Sequence, residues 1–165
     1  MNKVQLELKT RIRTIILIGV VCSITIIGCN PNEIYSEHFE TGAGLEWTKD
    51  DSKTFDVVIE NADLKYNVYI TFRYATGYAS NVAPVLLSQT EPDGETESNE
   101  YQLRIKDDKG DYIGEPGYDI WDSKHPVAMN VSLQKGKHTF KLEHNADVKA
   151  LMPVMDVGLI VENVE

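Results

Sequence analysis

Few side chains in this sequence are equipped for covalent or metal chemistry, and their spacing limits what they can do. There are two cysteines, Cys22 and Cys29. Cys22 lies inside an apolar run, whereas Cys29 directly follows Gly28 at the end of that run. The thiolate is the strongest nucleophile in the usual side-chain set, so Cys29 is the residue best placed to form a covalent bond. The four histidines do not converge. His138 and His144 lie six apart on one expected strand, about 20 Å from each other when extended, too far to share a metal. His38 and His125 stand alone. Asp107, Asp108 and Asp111 surround Gly110 and could offer oxygen ligands to calcium, but they lack the alternation and terminal Glu of an EF-hand loop. Asp-rich reversals of this kind are ordinarily turns. There is no Gly-x-Ser-x-Gly elbow, phosphate loop, dinucleotide fingerprint or HExxH pair. No carboxylate pair is singled out for glycoside hydrolysis. These absences leave a soluble enzyme with little support.

The surroundings of Cys29 explain its position. Residues 1–13 carry Lys3, Lys9, Arg11 and Arg13 against Glu7, and residues 14–28 read TIILIGVVCSITIIG without a charge. A basic head, a short apolar core and a small residue at the cut describe a secretory signal. A transmembrane helix needs roughly 18 or more apolar residues, and this run is shorter and interrupted by Ser23, Thr25 and Gly28. The sequence Ile26-Ile27-Gly28-Cys29 resembles the lipobox of bacterial lipoproteins, in which the chain is cut before an acylated cysteine. That resemblance implies a signal peptide over residues 1–28, a lipidated N-terminus and short tether over 29–33, and a folded domain over 34–165. A plain secretory signal is the alternative.

Removal of residues 1–28 takes four basic residues and one acid from the chain's 16 and 26, leaving 12 against 25 and a balance of −13. A domain this acidic repels nucleic acid and anionic membrane surfaces. Membrane attachment must then come from the lipid on Cys29. With Cys22 removed and Cys29 blocked, no thiol remains for a disulfide, so a hydrophobic core must stabilise the domain.

The elements expected to build that core are strands. Apolar and polar residues alternate around Phe55–Val57–Ile59, Tyr66–Val68–Ile70–Phe72–Tyr74, Tyr101–Leu103–Ile105, Val127–Met129–Val131–Leu133 and His138–Phe140–Leu142. This is the pattern of antiparallel sheets with one wet face. Residues 82–87 and 157–161 are apolar on both faces and suit interior strands, although Pro84 removes one ladder donor. Turn chemistry recurs at Pro92-Asp93-Gly94, Gly110, Pro116-Gly117 and Lys135-Gly136. The spacing predicts one antiparallel β-sandwich, jelly-roll-like, of about eight or nine strands. Residues 91–100 are polar and read as a mobile hairpin loop. A short helical turn is expected near residues 147–151, ended by Pro153.

Two kinds of surface remain open. Trp47, Tyr69, Tyr78, Tyr112, Tyr118 and Trp121 could form a platform for stacking sugars, although most aromatics of a β-sandwich belong to its core. Tyr69 and Arg73 lie four apart on one strand, on the face opposite Phe72. A phenol beside a guanidinium suits recognition of a protein, whereas pairing of Arg73 with a surface carboxylate is the simpler alternative.

Several local motifs together resemble the GldH family of gliding-motility lipoproteins of Bacteroidetes-type bacteria. Tyr35, Phe39, Trp47 and Phe55 follow the lipobox. The stretch from Tyr66-Asn67-Val68 to Arg73 is similar to the family's Y-N-hydrophobic…R strand. Leu103, Asp107, Gly110, Gly114 and Gly117 resemble its glycine-spaced segment, with Tyr112 where Trp is commoner. Gly136, Phe140, Leu142 and His144, then Met155-Asp156-Val157-Gly158-Leu159, resemble its end. The likeness covers nearly the whole domain. It implies an envelope lipoprotein of the gliding machinery and its associated protein secretion, with no enzyme activity and no cofactor. Its partners would be other envelope proteins, and it would be anchored in the outer rather than the inner membrane. Acidic runs just after the cysteine mark surface export in such bacteria. Here Glu33 alone lies that near, which favours the periplasmic face. A carbohydrate-binding surface lipoprotein is the alternative function.

Cys29→Ser is expected to abolish lipid labelling and to release the protein from membranes, because the acidic remainder has no attraction for a bilayer. Persistence of the variant in the membrane fraction after a salt wash would contradict the assignment.

Overall fold

The period-two alternation folds as it reads, into strands that bury one face. The computed structural model describes residues 30–164; Cys29 and the proposed signal segment lie outside the described residues. Eleven strands follow one another: β1 (Glu33–Glu40), β2 (Trp47–Thr48), β3 (Lys53–Ile59), β4 (Lys65–Ala75), β5 (Val82–Thr90), β6 (Thr96–Arg104), β7 (Glu115–Gly117), β8 (Ile120–Val131), β9 (Gly136–His144), β10 (Ala150–Leu151) and β11 (Val154–Val164). Three of them, β2, β7 and β10, are only two or three residues long. The eight longer strands form two antiparallel sheets, one ordered β1-β11-β4-β8 with β7 added at its edge, the other β3-β9-β5-β6. Apart from the β5–β6 hairpin, successive long strands cross from one sheet to the other. This is the jelly-roll arrangement, and it makes the first and last strands neighbours.

The inward residues of both sheets make one core. Phe55, Val57 and Ile59 on β3, the even-numbered residues from Tyr66 to Tyr74 on β4, and Phe140 and Leu142 on β9 are all buried. Trp47 seals one end and is fully buried, its Nε1–H donating to the Asp51 carbonyl at 2.8 Å. Its ring lies 6.3 Å from Phe72, which meets Tyr74 at 5.8 Å and Tyr78 at 6.0 Å. The Tyr74 hydroxyl lies 3.0 Å from the Ile105 carbonyl and 2.5 Å from the Ile113 carbonyl, its one proton shared between them, and burial pushes the hydroxyl up to about 12.

Residues 33–40 form edge strand β1. The structure corrects three local expectations. Residues 91–95 alone make the β5–β6 turn, and the polar run from Thr96 is strand, paired through Ser88–Ser98 and Thr90–Thr96 hydroxyl contacts. Residues 147–151 form a bend followed by the two-residue strand β10 rather than a helical turn. The alternation through Met129 breaks because β8 is bulged against β4, with Asn130 at φ 55°, and Met129 is turned out to solvent.

Phe72 is 1% exposed among these rings. Phe72→Ala is expected to cost about 3–5 kcal/mol in urea melts, through lost burial and the cavity left behind. A loss below about 1 kcal/mol would be incompatible with this core.

Candidate functional site

The inward phase of β4 forces Asn67, Tyr69, Thr71 and Arg73 outward, onto the solvent face of the five-stranded sheet. Register then decides their company. Asp156 of β11 and Asp122 of β8 are the cross-strand partners of Arg73, and Glu40 and Glu115 continue the same row to either edge. One guanidinium thus stands between two carboxylates on each side. Arg73 Nε and Nη2 donate to the two Asp122 oxygens at 2.6 and 3.1 Å, and Nη1 donates to Asp156 at 3.3 Å. The neighbouring row is His38, Gly158, Thr71 and Lys124.

Gly158 is required there. A Cβ at that position would lie 2.4 Å from Thr71 Oγ1 and 2.5 Å from His38 Nδ1. Its absence lets those two side chains meet across the strand at 3.1 Å. His38 Nδ1 also lies 3.7 Å from Asp156. Gly114, at φ 129°, allows the loop before β7 to pass over the Asp122 carbonyl, 2.5 Å from where a Cβ would sit. Between that loop and the sheet is a cleft of about 570 Å³, lined by His38, Thr71, Arg73, Glu115, Asp122, Lys124 and Asp156 among others.

Electrostatics favour the charged form of the arginine. Hydrogen bonding to Asp122 raises Arg73 above its ordinary value, with burial opposing. Burial pushes Asp156 up, and Arg73 and His38 offset part of that shift. Arg73 and Asp122 are nearly half exposed, so their pairing fixes geometry more than it adds stability. Lys124 Nζ sits 3.9 Å above the Tyr69 ring and 2.7 Å from Glu162. Tyr69 and Arg73 therefore do share the outer face, each held by neighbours from other strands.

The guanidinium occupies the space between Asp122 and Asp156, where a substrate would have to lie if the two were acid and nucleophile. The six rings considered for stacking do not form a platform. Trp47 and Tyr78 are core, Tyr69 is capped by Lys124, and Tyr112 and Trp121 lie 5.4 Å apart and are partly buried. Tyr118 is fully exposed but stands at a hairpin tip. His138 and His144 point into the core from the two ends of β9. Asp107 Oδ1 accepts from the backbone N–H groups of Lys109 and Asp111, closing a turn, and Asp108 accepts from Arg104. Among the described residues, no three of His, Cys, Asp and Glu converge as a ligand set.

Sequence patterning located Tyr69 and Arg73 but missed His38, Asp122, Lys124 and Asp156. Arg73 was the available signal: an arginine on the outer face of an acidic domain requires carboxylates on adjacent strands, without saying which.

Fold and surface define an all-β, jelly-roll domain with a charged, cleft-bearing outer face. The chain belongs to the GldH lipoprotein family, whose profile matches residues 33–161. It is 24% identical over 150 residues to the gliding motility lipoprotein GldH of Flavobacterium johnsoniae, covering 87% of this chain and 92% of that one. Solved structures with similarity include Eiger TNF from S. frugiperda, at TM-score 0.40 and 14% identity over 81% of this chain and 94% of that one. Another is the CBM36-1 domain of a multidomain xylanase from the hindgut metagenome of Trinervitermes trinervoides, at 0.39 and 15% over 76% and 96%. Neither score reaches 0.5, so neither likeness bears on ligand or mechanism.

Beneath the cleft, Ser123 Oγ donates to the Phe72 carbonyl at 2.9 Å and accepts from His125 Nε2 at 2.9 Å. Burial depresses His125 to about 4. Above its ordinary value of about 6.5 the neutral ring carries its full stabilising contribution, and this is lost as pH falls from there through about 4. Between pH 7 and pH 4 the expected loss is about 3 kcal/mol at most. His125→Gln should flatten that limb of the urea-melt profile; an unchanged profile would assign the acid sensitivity to other groups.

Proposed function

We propose that this protein is a lipid-anchored, non-catalytic component of an envelope assembly serving gliding motility and its associated protein secretion. Membership of the GldH lipoprotein family over residues 33–161 is the observation that carries this reading. The relative named for gliding motility aligns over 87% of this chain. In this reading residues 1–28 are the signal peptide and Cys29 carries the lipid. The attachment is to the outer membrane, with the domain on the periplasmic side.

The working surface is the outer face of the five-stranded sheet around Tyr69 and Arg73. Their side chains are pre-positioned by Lys124, Asp122 and Asp156, so little conformational entropy is lost when an envelope protein covers them. Arginine and tyrosine are enriched among the residues that dominate binding energy at protein interfaces. The glycan-binding alternative lacks a row of exposed rings in the cleft.

The double variant Tyr69→Ala, Arg73→Ala should still fold, because both residues lie outside the core and the Arg73–Asp122 pair is solvated, with a modest loss of stability where the largely buried Asp156 carboxylate loses its arginine. Purified with its membrane neighbours, it should lose gliding-machinery components that the unaltered protein retains. Full recovery of those components by the folded variant would exclude this face, and their absence from the unaltered protein would exclude the assembly.

A further inference from the structure

Antiparallel order puts the loops after β1, β4, β6 and β9 at one end, and the start of β1 at the other. Four of the seven exposed large apolar side chains lie in those loops: Leu45, Tyr118, Val148 and Met152.

The loops are also bound to each other. Val154 N–H donates to the Leu45 carbonyl at 2.8 Å, Ala75 N–H to the Pro153 carbonyl at 3.2 Å, and Thr76 N–H to the Asp119 carbonyl at 2.7 Å. This chain of bonds aligns Leu45, Met152 and Tyr118 laterally across the end of one sheet. Two of the three sit in strained backbone. Leu45 has φ 56° and Tyr118 φ 60°, in the left-handed region that favours glycine. Tyr118 opens the two-residue turn between Gly117 and Ile120, a position where glycine is the natural choice. Its ring is completely exposed, so no contact within the domain compensates for the strain. Strain maintained without local compensation points to a function for the side chain.

The same four loops, residues 41–52, 76–81, 105–119 and 145–153, hold nine carboxylates and four lysines. We propose that this end is a docking surface on which Tyr118, Met152 and Leu45 insert into apolar pockets of a protein partner whose rim is basic. Charge complementarity selects that occupant. A second copy would set acid against acid, and anionic headgroups would be repelled in the same way. The orientation rests on the lipid-anchor reading: three residues separate Cys29 from Glu33, four steps that span at most about 14 Å, so the anchor holds the opposite end near the bilayer.

The test uses the full-length protein in the membranes of its own cells, with a photo-crosslinking amino acid at position 152. The adduct is expected on a protein segment with apolar residues flanked by Lys or Arg. Tyr118→Gly should lower its yield about tenfold, the effect of losing one strong interface contact. In thermal melts of the purified full-length protein, the same variant should keep or raise Tm, since glycine relieves the turn. Asp119→Lys should lower the yield in parallel. Adducts only to lipid, only to a second copy, or to no molecule would overturn the proposal. So would an adduct yield insensitive to Tyr118→Gly, or a fall in Tm that makes the ring structural. Fractionation of Cys29→Ser reports on anchoring separately: its release with crosslinking retained supports the docking surface, and its persistence in membranes affects only the orientation.

Discussion

Strand β11 has no free side, and the outer face of the five-stranded sheet depends on that fact. Its edges are bonded to β1 and β4, and residues 157–161 are buried throughout. Occupying this position requires one residue to have no side chain. At Gly158 the Thr71 hydroxyl and the His38 ring close over the backbone, and two residues earlier Asp156 reaches Arg73. A Cβ at position 158 would push β1 away and disturb both rows of polar side chains. The buried strand and the charged surface are therefore one structural unit.

The alternating segments were legible because one face of each is buried against the opposite sheet. That reasoning recovered β3, β4 and β9 nearly to their ends, and the doubly apolar runs identified β5 and β11 as interior strands. It missed β1, whose residues are mostly exposed because it is an edge strand; Tyr35 and Phe39 are its main inward anchors. It also misread the start of β6. Thr96 to Glu100 are exposed on both faces, so their strand structure comes from backbone pairing with β5 and leaves no hydrophobic signature. At Met129 a bulge reverses the phase, and a bulge is set by the partner strand rather than by local composition.

The site was less legible, for a topological reason. Strand phase placed Tyr69 and Arg73 on a common face without information from elsewhere. The groups that hold them come from β1, β8 and β11, between about 30 and 90 residues away in the chain, and their arrival depends on register. Single positions carried little warning. Asp122 and Asp156 are two of the chain's 26 acidic residues, and only the jelly-roll order makes them neighbours of the same arginine.

The partnership of β1 with β11 also has a consequence in time. Glu33 pairs with Glu162, so the first strand of the sheet lacks its neighbour until the last residues of the domain are present. Closing a loop of that length costs entropy before any pairing compensates for it, and folds dominated by such contacts assemble slowly. A chain threaded through a pore with its N-terminus leading would emerge as open strands. Local pairs such as the β5–β6 hairpin could form on the way, but β1 would stay without its neighbour until the tail had followed.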